Sequence, residues 1–172
     1  PIIISSANHL KQNDDEKKIK KLLIENGFYE VINNPFVSQN GKNSVEIDNP
    51  LDTNRKYLRT NLKDSLINNL SFNERRQKDS VKLFEISDIY TNENRLGKKV
   101  IGIIAGGRVG KNYKEFSKKI DKKYFKDLLV KLSANEYEIE EIDWQSINSK
   151  SKSSAIYCEI EIDSFFKIDY SF

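Results

Sequence analysis

Two β-prone runs joined by a polar stretch constrain the fold of this chain more than anything else in it. Residues 81–90, Val-Lys-Leu-Phe-Glu-Ile-Ser-Asp-Ile-Tyr, are rich in aromatic and β-branched side chains, and residues 100–105, Val-Ile-Gly-Ile-Ile-Ala, are almost wholly apolar. Between them Thr91 opens a polar segment that contains Gly97, the pattern of an antiparallel hairpin with a long loop. A hairpin this apolar needs cover, so the rest of the chain must supply helices to pack on it.

Candidate helices lie on both sides. Residues 14–26 carry Ile19, Leu22 and Leu23 on one narrow face, with Asp14 or Asp15 placed to cap the start and Gly27 to end it in the left-handed conformation. From residue 58 to 72, Leu58, Leu62, Leu66, Ile67 and Leu70 make a stripe along a second helix. Residues 121–133 form the third, with Tyr124, Phe125, Leu128, Leu129 and Leu132 on one face. Residues 28–37 read as a strand whose Pro35 belongs at a sheet edge or bulge, and residues 44–47 as a short return strand after a turn at Gly41. Residues 156–162 alternate, with Ile156, Cys158, Ile160 and Ile162 expected inward and Tyr157, Glu159 and Glu161 outward. Hairpins and helices mix without a βαβ rhythm, which predicts an α+β fold: an antiparallel β-sheet flanked by helices. Residues 1–13 read as a linker or arm and residues 14–172 as a single core domain. Pro1 and the absence of any Met predict that the chain is a segment of a longer polypeptide.

Composition excludes several chemistries. Cys158 and His9 are each alone, so neither an internal disulfide nor a thiolate or histidine metal site can be assembled, and a cytoplasmic setting is expected. No apolar run approaches the roughly 20 residues that cross a bilayer, so no membrane span is expected. The stretch Ala105-Gly-Gly-Arg-Val-Gly-Lys-Asn112 lacks the first glycine of a P-loop and the hydroxyl that would hold magnesium, and it fails the dinucleotide fingerprint at Ala105. Cys158 lies on an inward strand face, where a cysteine acts as a small hydrophobe. Net charge is +3, spread over 29 basic and 26 acidic residues. Clusters at residues 17–21, 118–123 and Arg75-Arg76 read first as solvated faces, with Arg75 and Arg76 kept as candidate RNA contacts. With one histidine near the start, no Ser-His-Asp set exists. The residues point away from a self-sufficient active site.

Three blocks together resemble the synthetase-like core of bacterial phenylalanyl-tRNA synthetase β subunits. Ile24-Glu-Asn-Gly-Phe-Tyr-Glu-Val-Ile-Asn-Asn-Pro-Phe36 is similar to that family's form of the class II first motif. Ile47-Asp-Asn-Pro-Leu-Asp52, with Tyr57-Leu-Arg-Thr-Asn-Leu-Lys-Asp-Ser-Leu66 and Asn73-Glu-Arg-Arg76, is similar to its Asn-Pro-Leu and Leu-Arg signatures. Leu83-Phe-Glu-Ile-Ser-Asp-Ile-Tyr90 is similar to its core strand. The resemblance covers residues 15–133; beyond Asn135 the family carries a longer segment, and this chain has a short Ser/Lys-rich stretch around Trp144.

The resemblance implies a class II aminoacyl-tRNA synthetase-like core in a heterotetramer of two α and two β subunits, acting on tRNA(Phe). ATP, magnesium and phenylalanine chemistry would belong to the α subunit, with no cofactor in this segment. Leu22, Phe28, Val31, Pro35 and Phe36 are then expected at a subunit interface. Thr91 would stand where active class II enzymes carry the arginine that grips the α-phosphate, a job for a planar bidentate cation that a hydroxyl cannot do. The alternatives are an RNA-binding module unrelated to synthetases and a free-standing class II ligase paralogue that kept adenylation.

Overall fold

A computed structural model of the chain describes residues 6–38, 43–50, 52, 54–74, 76, 80–110, 118–132, 137–142 and 154–162. The central hairpin forms as its sequence predicts. Strand β4 (Ser80–Ile89) pairs antiparallel with β5 (Lys98–Gly107) over all ten residues of each, from Ser80 opposite Gly107 to Ile89 opposite Lys98. Strand β7 (Ala155–Glu161) adds antiparallel to β5, and the short β6 (Glu140–Ile142) adds antiparallel to β7. On the other side β1 (Tyr29–Glu30) joins β4, so the sheet order is β1-β4-β5-β7-β6. The β1 pairing is parallel, which departs from an all-antiparallel sheet. A parallel neighbour needs a crossover connection, and residues 31–79 between β1 and β4 provide it by way of the second helix.

That crossover decides the architecture. Helices α1 (Ser6–Glu25) and α3 (Lys122–Leu132) pack on one face of the sheet, where Ile19, Leu23, Phe28, Phe125, Leu128 and Leu129 meet Phe84, Ile101, Ile103, Ile156, Cys158 and Ile160. Helix α2 (Lys63–Glu74) covers the other face, with Leu62, Leu66 and Leu70 over Val81, Leu83, Val100, Ile104, Ala155 and Tyr157. Both faces of the central strands are therefore buried. Strand β7 is not the half-buried strand its alternation predicts: Ile156, Cys158, Ile160 and Ile162 are inward as expected, but Tyr157 is also buried, on the α2 side. Gly102 and Gly106 on β5 lie beneath α2, and a Cβ on Gly102 would sit 2.8 Å from Leu66 Cδ1 and 3.0 Å from Leu62 Cβ. The glycine lets helix and sheet approach closely.

Element boundaries moved in three places. Helix α1 begins at Ser6, eight residues before the expected start at Asp14, so helical backbone runs through much of residues 1–13. Asp14 and Asp15 lie inside it, pairing with Lys17 and Lys18 one turn on rather than capping an end. The single strand expected over residues 28–37 is two: β1 in the main sheet and β2 (Phe36–Val37) in a separate ribbon with β3 (Tyr57–Leu58). Asn33 and Asn34 cause the break. Asn33 turns its backbone N–H and its side-chain amide to Glu85, and Asn34 Oδ1 accepts the Phe36 N–H in a local turn. Leu58 consequently belongs to a strand and not to the α2 stripe. Residues 44–47 do return, as a bridge from Glu46 to Tyr57 flanked by bonds from Ile47 N–H to Lys56 O and from Leu58 N–H to Val45 O. Gly41, Trp144 and residues 111–117 lie outside the described residues.

Candidate subunit interface and the exit of the central strand

At the exit of β4 the chain folds into a tight turn centred on Thr91. Its hydroxyl accepts the Asn94 N–H at 3.1 Å, its carbonyl accepts the same N–H at 3.0 Å, and its own N–H donates to Asn94 O at 3.3 Å. Gly97, at φ +90°, closes the turn where a side chain would be strained. Thr91 is thus occupied with its own backbone. Arg108 cannot stand in for a cation there: it follows β5 at the far end of the hairpin, about twelve residue steps and so roughly 40 Å from Thr91.

The nearby cation on the α2 face is Arg59, and it is fully committed. Its Nη1 donates to Glu85 Oε1 at 2.8 Å, Nη2 to Ser87 Oγ at 2.5 Å and Nε to Asp88 O at 3.2 Å, and both members of the ion pair are buried. Glu85 also takes two bonds from Asn33, whose Oδ1 accepts from Asn69 on α2. This network ties β1, β3, α2 and β4 together. Across β5, Glu159 lies in register with Gly102 and Glu85; it accepts the Leu62 N–H at the start of α2 and the Tyr157 hydroxyl at 2.6 Å. Burial, together with the charge of Glu159, raises the Tyr157 phenol above its ordinary range. The Cys158 thiol is pushed up to about 12, by burial first and then by the neighbouring carboxylates, so it is a poor nucleophile at neutral pH.

The residues expected at a subunit interface divide. Phe28 is 2% exposed and stands edge-on to Phe125 in the chain's own core, so it presents no surface. Leu22 and Val31 are partly buried against the two core clusters, and Pro35 is half-buried with its carbonyl taking the Arg59 N–H. Phe36 is 43% exposed. Near it in sequence the structure adds Ile24 of α1, Tyr29 of β1 and Ile32, the last two 73% and 92% exposed, so four large apolar side chains lie exposed within thirteen residues. The adjacent pair Val31-Ile32 points to opposite sides of an extended segment, and the chain's own core covers Val31 and leaves Ile32 bare.

Arg76 stacks its guanidinium 3.5 Å over the exposed Phe72 ring and bonds the Phe72 carbonyl at the end of α2; Arg75 lies outside the described residues. Glu46, Ile47, Asp48, Asn49, Pro50 and Lys56 line an open hollow beside β3, with Asn49 at a positive φ of 54°. Among the described residues no group of three metal-binding side chains is assembled, and no helix is long and apolar enough to cross a membrane.

An antiparallel sheet with one parallel edge strand, covered on both faces by helices, gives this chain the fold of a class II aminoacyl-tRNA synthetase core. Two solved structures of pyrrolysyl-tRNA synthetase from Desulfitobacterium hafniense superpose with TM-scores of 0.64, at 14% and 13% identity, over 92% and 90% of this chain and 72% and 67% of theirs. Within that class the sequence is specific. Residues 2–163 match the family described as the phenylalanyl-tRNA synthetase beta chain CLM domain, and the chain belongs to that family. It is 27% identical over 148 residues to the phenylalanine–tRNA ligase beta subunit of Vibrio vulnificus, covering 75% of this chain and 18% of that one. It is 32% identical over 143 residues to the beta subunit of Fusobacterium nucleatum, covering 73% and 18%. The chain therefore spans under a fifth of the length of these relatives.

Proposed function

We propose that this chain is the non-catalytic synthetase-like module of a phenylalanine–tRNA ligase beta subunit, which scaffolds the catalytic alpha subunit for ATP-dependent charging of tRNA(Phe) in the cytoplasm. The observation that carries this reading is the exposure of four large apolar side chains, Ile24, Tyr29, Ile32 and Phe36, within thirteen residues around β1. Four such side chains in one short segment are costly to leave in water and suit a partner subunit.

Catalytic silence is supported at the strand exit. Adenylate formation requires cationic donors on a triphosphate, and here a threonine engaged in its own turn stands in the arginine's place. Arg59 is neutralised by Glu85, and Arg108 sits at the other end of the hairpin. On this reading the described residues assemble no fitting site for ATP and magnesium, which belong to the alpha subunit of the assembled enzyme.

The test has two arms. Coexpressed with a matching alpha subunit, the chain should copurify and sediment as a complex, and an Ile32→Asp/Phe36→Asp variant should not. Assembly unchanged in that variant would move the interface elsewhere. By itself the chain should give no saturable heat with ATP and no pyrophosphate exchange, and either signal would reject the scaffold reading in favour of a ligase paralogue.

A further inference from the structure

Helix α3 carries a charge distribution that its own stability does not account for. Residues 118–131 contain six lysines, Lys118, Lys119, Lys122, Lys123, Lys126 and Lys131, against Asp121 and Asp127. The whole chain has 29 basic and 26 acidic residues, so outside this stretch acids outnumber bases by one. The excess positive charge of the molecule sits here.

All six lysines are exposed, while Phe125, Leu128 and Leu129 turn inward. Lys122 and Lys126 stand one helical turn apart with Lys123 beside them. Lys118 and Lys119 precede the helix, held against the end of β5 by the Val109 N–H bond to Lys118 O and the Ile120 N–H bond to Gly107 O. None of the six joins an ion pair among the described residues, whereas Lys17, Lys18, Lys20 and Lys21 of α1 each lie beside a carboxylate. Asp121 is spent capping α3, its Oδ1 accepting the Tyr124 N–H at 2.8 Å, which leaves Asp127 as the acid on the outer arc.

Asp121 at the cap and Lys131 in the last turn suit the helix dipole, but the turn between the cap and Phe125 does not. The first turn holds Lys122 and Lys123 and no acid, where the positive end of the helix dipole favours carboxylates. A face selected only for solvation would alternate sign, as α1 does.

We propose that the outer face of α3, with Lys118 and Lys119 leading into it, docks the sugar–phosphate backbone of RNA. Lysines are flexible point charges that meet phosphates without reading base edges, so this surface would contribute affinity and orientation and no sequence preference. The identity of the RNA as tRNA rests on the proposed synthetase role; the basic face itself rests on the charge and its geometry.

The experiment measures binding of the full chain to unfractionated labelled tRNA by fluorescence anisotropy, from about 50 to about 300 mM KCl. Lys122→Gln/Lys123→Gln/Lys126→Gln should weaken binding by about tenfold or more at low salt and reduce the slope of log affinity against log salt by roughly 2 to 3. The corresponding Lys→Arg variant should bind as the parent does. A control triple, Lys17→Gln/Lys18→Gln/Lys21→Gln on α1, should change affinity by less than about twofold. Circular dichroism and melting temperature establish that each variant is folded. Equal losses for the α3 and α1 sets, an unchanged salt slope, or preference for phosphatidylserine vesicles over tRNA would each overturn the proposal. Copurification with the alpha subunit, read on the same variants, is expected to persist; its loss in the parent chain with tRNA binding intact would reject the scaffold role and leave the basic face standing.

Discussion

Gly102 shows how a single missing side chain can set the distance between two layers. It faces α2 from the middle of β5, and a methyl group there would overlap Leu66 Cδ1 at 2.8 Å and crowd Leu62 Cβ at 3.0 Å. Leu62 belongs to the turn whose N–H is fixed by Glu159, so the helix cannot simply lift. Gly102→Ala should therefore destabilise the fold by about 1–3 kcal/mol, the usual cost of overpacking. Gly106→Ala, four residues on in the same strand, meets nothing nearer than Ser154 O at 3.5 Å and should stay within about 0.5 kcal/mol. Chemical denaturation of the pair checks this, and equal effects would mean that α2 yields. The sequence offered no hint of either contact, because closeness of approach depends on which elements stack. Glu85 is the same case: it reads as an outward polar position in a strand, and only the arrival of Arg59 and Asn33 from distant segments makes it a buried ion-pair partner, one whose loss would strand Arg59 without its counter-charge.

Elements whose signals were local read correctly, and those defined by partners did not. Strands β4, β5 and β7 and helix α3 carry strong apolar patterns and lie within a few residues of their expected limits. Strand β3 hid in the helical stripe because Leu58 falls in step with Leu62, and β1 and β2 merged because only Glu85 separates them. The early start of α1 was obscured by its polar composition, for few apolar residues mark its first turns. Charge joins the buried Ile19 and Leu23 in fastening that helix: Lys20 bonds both Glu16 at 3.1 Å and Glu30 of β1 at 2.8 Å, and Lys99 of β5 reaches Glu16 at 3.1 Å. Burial alone would raise the Glu16 carboxyl, but the hydrogen bonds and charges of Lys20 and Lys99 outweigh it and hold it below its ordinary 4.5. The bond from Glu30, offset in part by burial and reinforced by Glu16, raises Lys20 above 10.5. A depressed carboxylate contributes stability that is fully present above its unfolded value and is lost as pH falls through the folded one. Thermal melts should accordingly show a loss between about pH 5 and the acid limit that is smaller in Glu16→Gln, and the raised Lys20 predicts a second loss only above pH 10.5. An acid limb identical in parent and variant would show that other carboxylates dominate.

For the molecule as a whole, both faces of the sheet are filled by the chain's own helices and the polar centre is neutralised internally, leaving function to the outside: exposed apolar side chains around β1, a basic helix face and a polar turn. Much of the outside was legible, since the Thr91 turn and the run of residues 24–36 are sequence features, whereas the division of surface from core among Ile24, Phe28, Tyr29 and Ile32 required the fold. On the proposed reading of Thr91 as the position of an absent arginine, this arrangement bears on whether nucleotide binding could be introduced there. A guanidinium placed there by Thr91→Arg would restore one bidentate donor and forfeit the hydroxyl bond to the Asn94 N–H, at about 0.5–1.5 kcal/mol of turn stability. Arg59 could not join it, being tied to Glu85, Ser87 and Asp88, Arg108 lies roughly 40 Å away along the hairpin, and Arg95 in the same turn is as exposed to solvent as the new side chain would be. A single exposed guanidinium on a triphosphate is screened by water and salt and cannot by itself hold a nucleotide in place. On the scaffold reading, Thr91→Arg should melt slightly below the parent, show no saturable heat with ATP at millimolar concentration and no rise in melting temperature when ATP and magnesium are added. A saturable ATP isotherm in that variant would mean that the rest of a nucleotide site is intact around the turn, and that the replacement of one arginine is all that separates this chain from a phosphate-gripping relative.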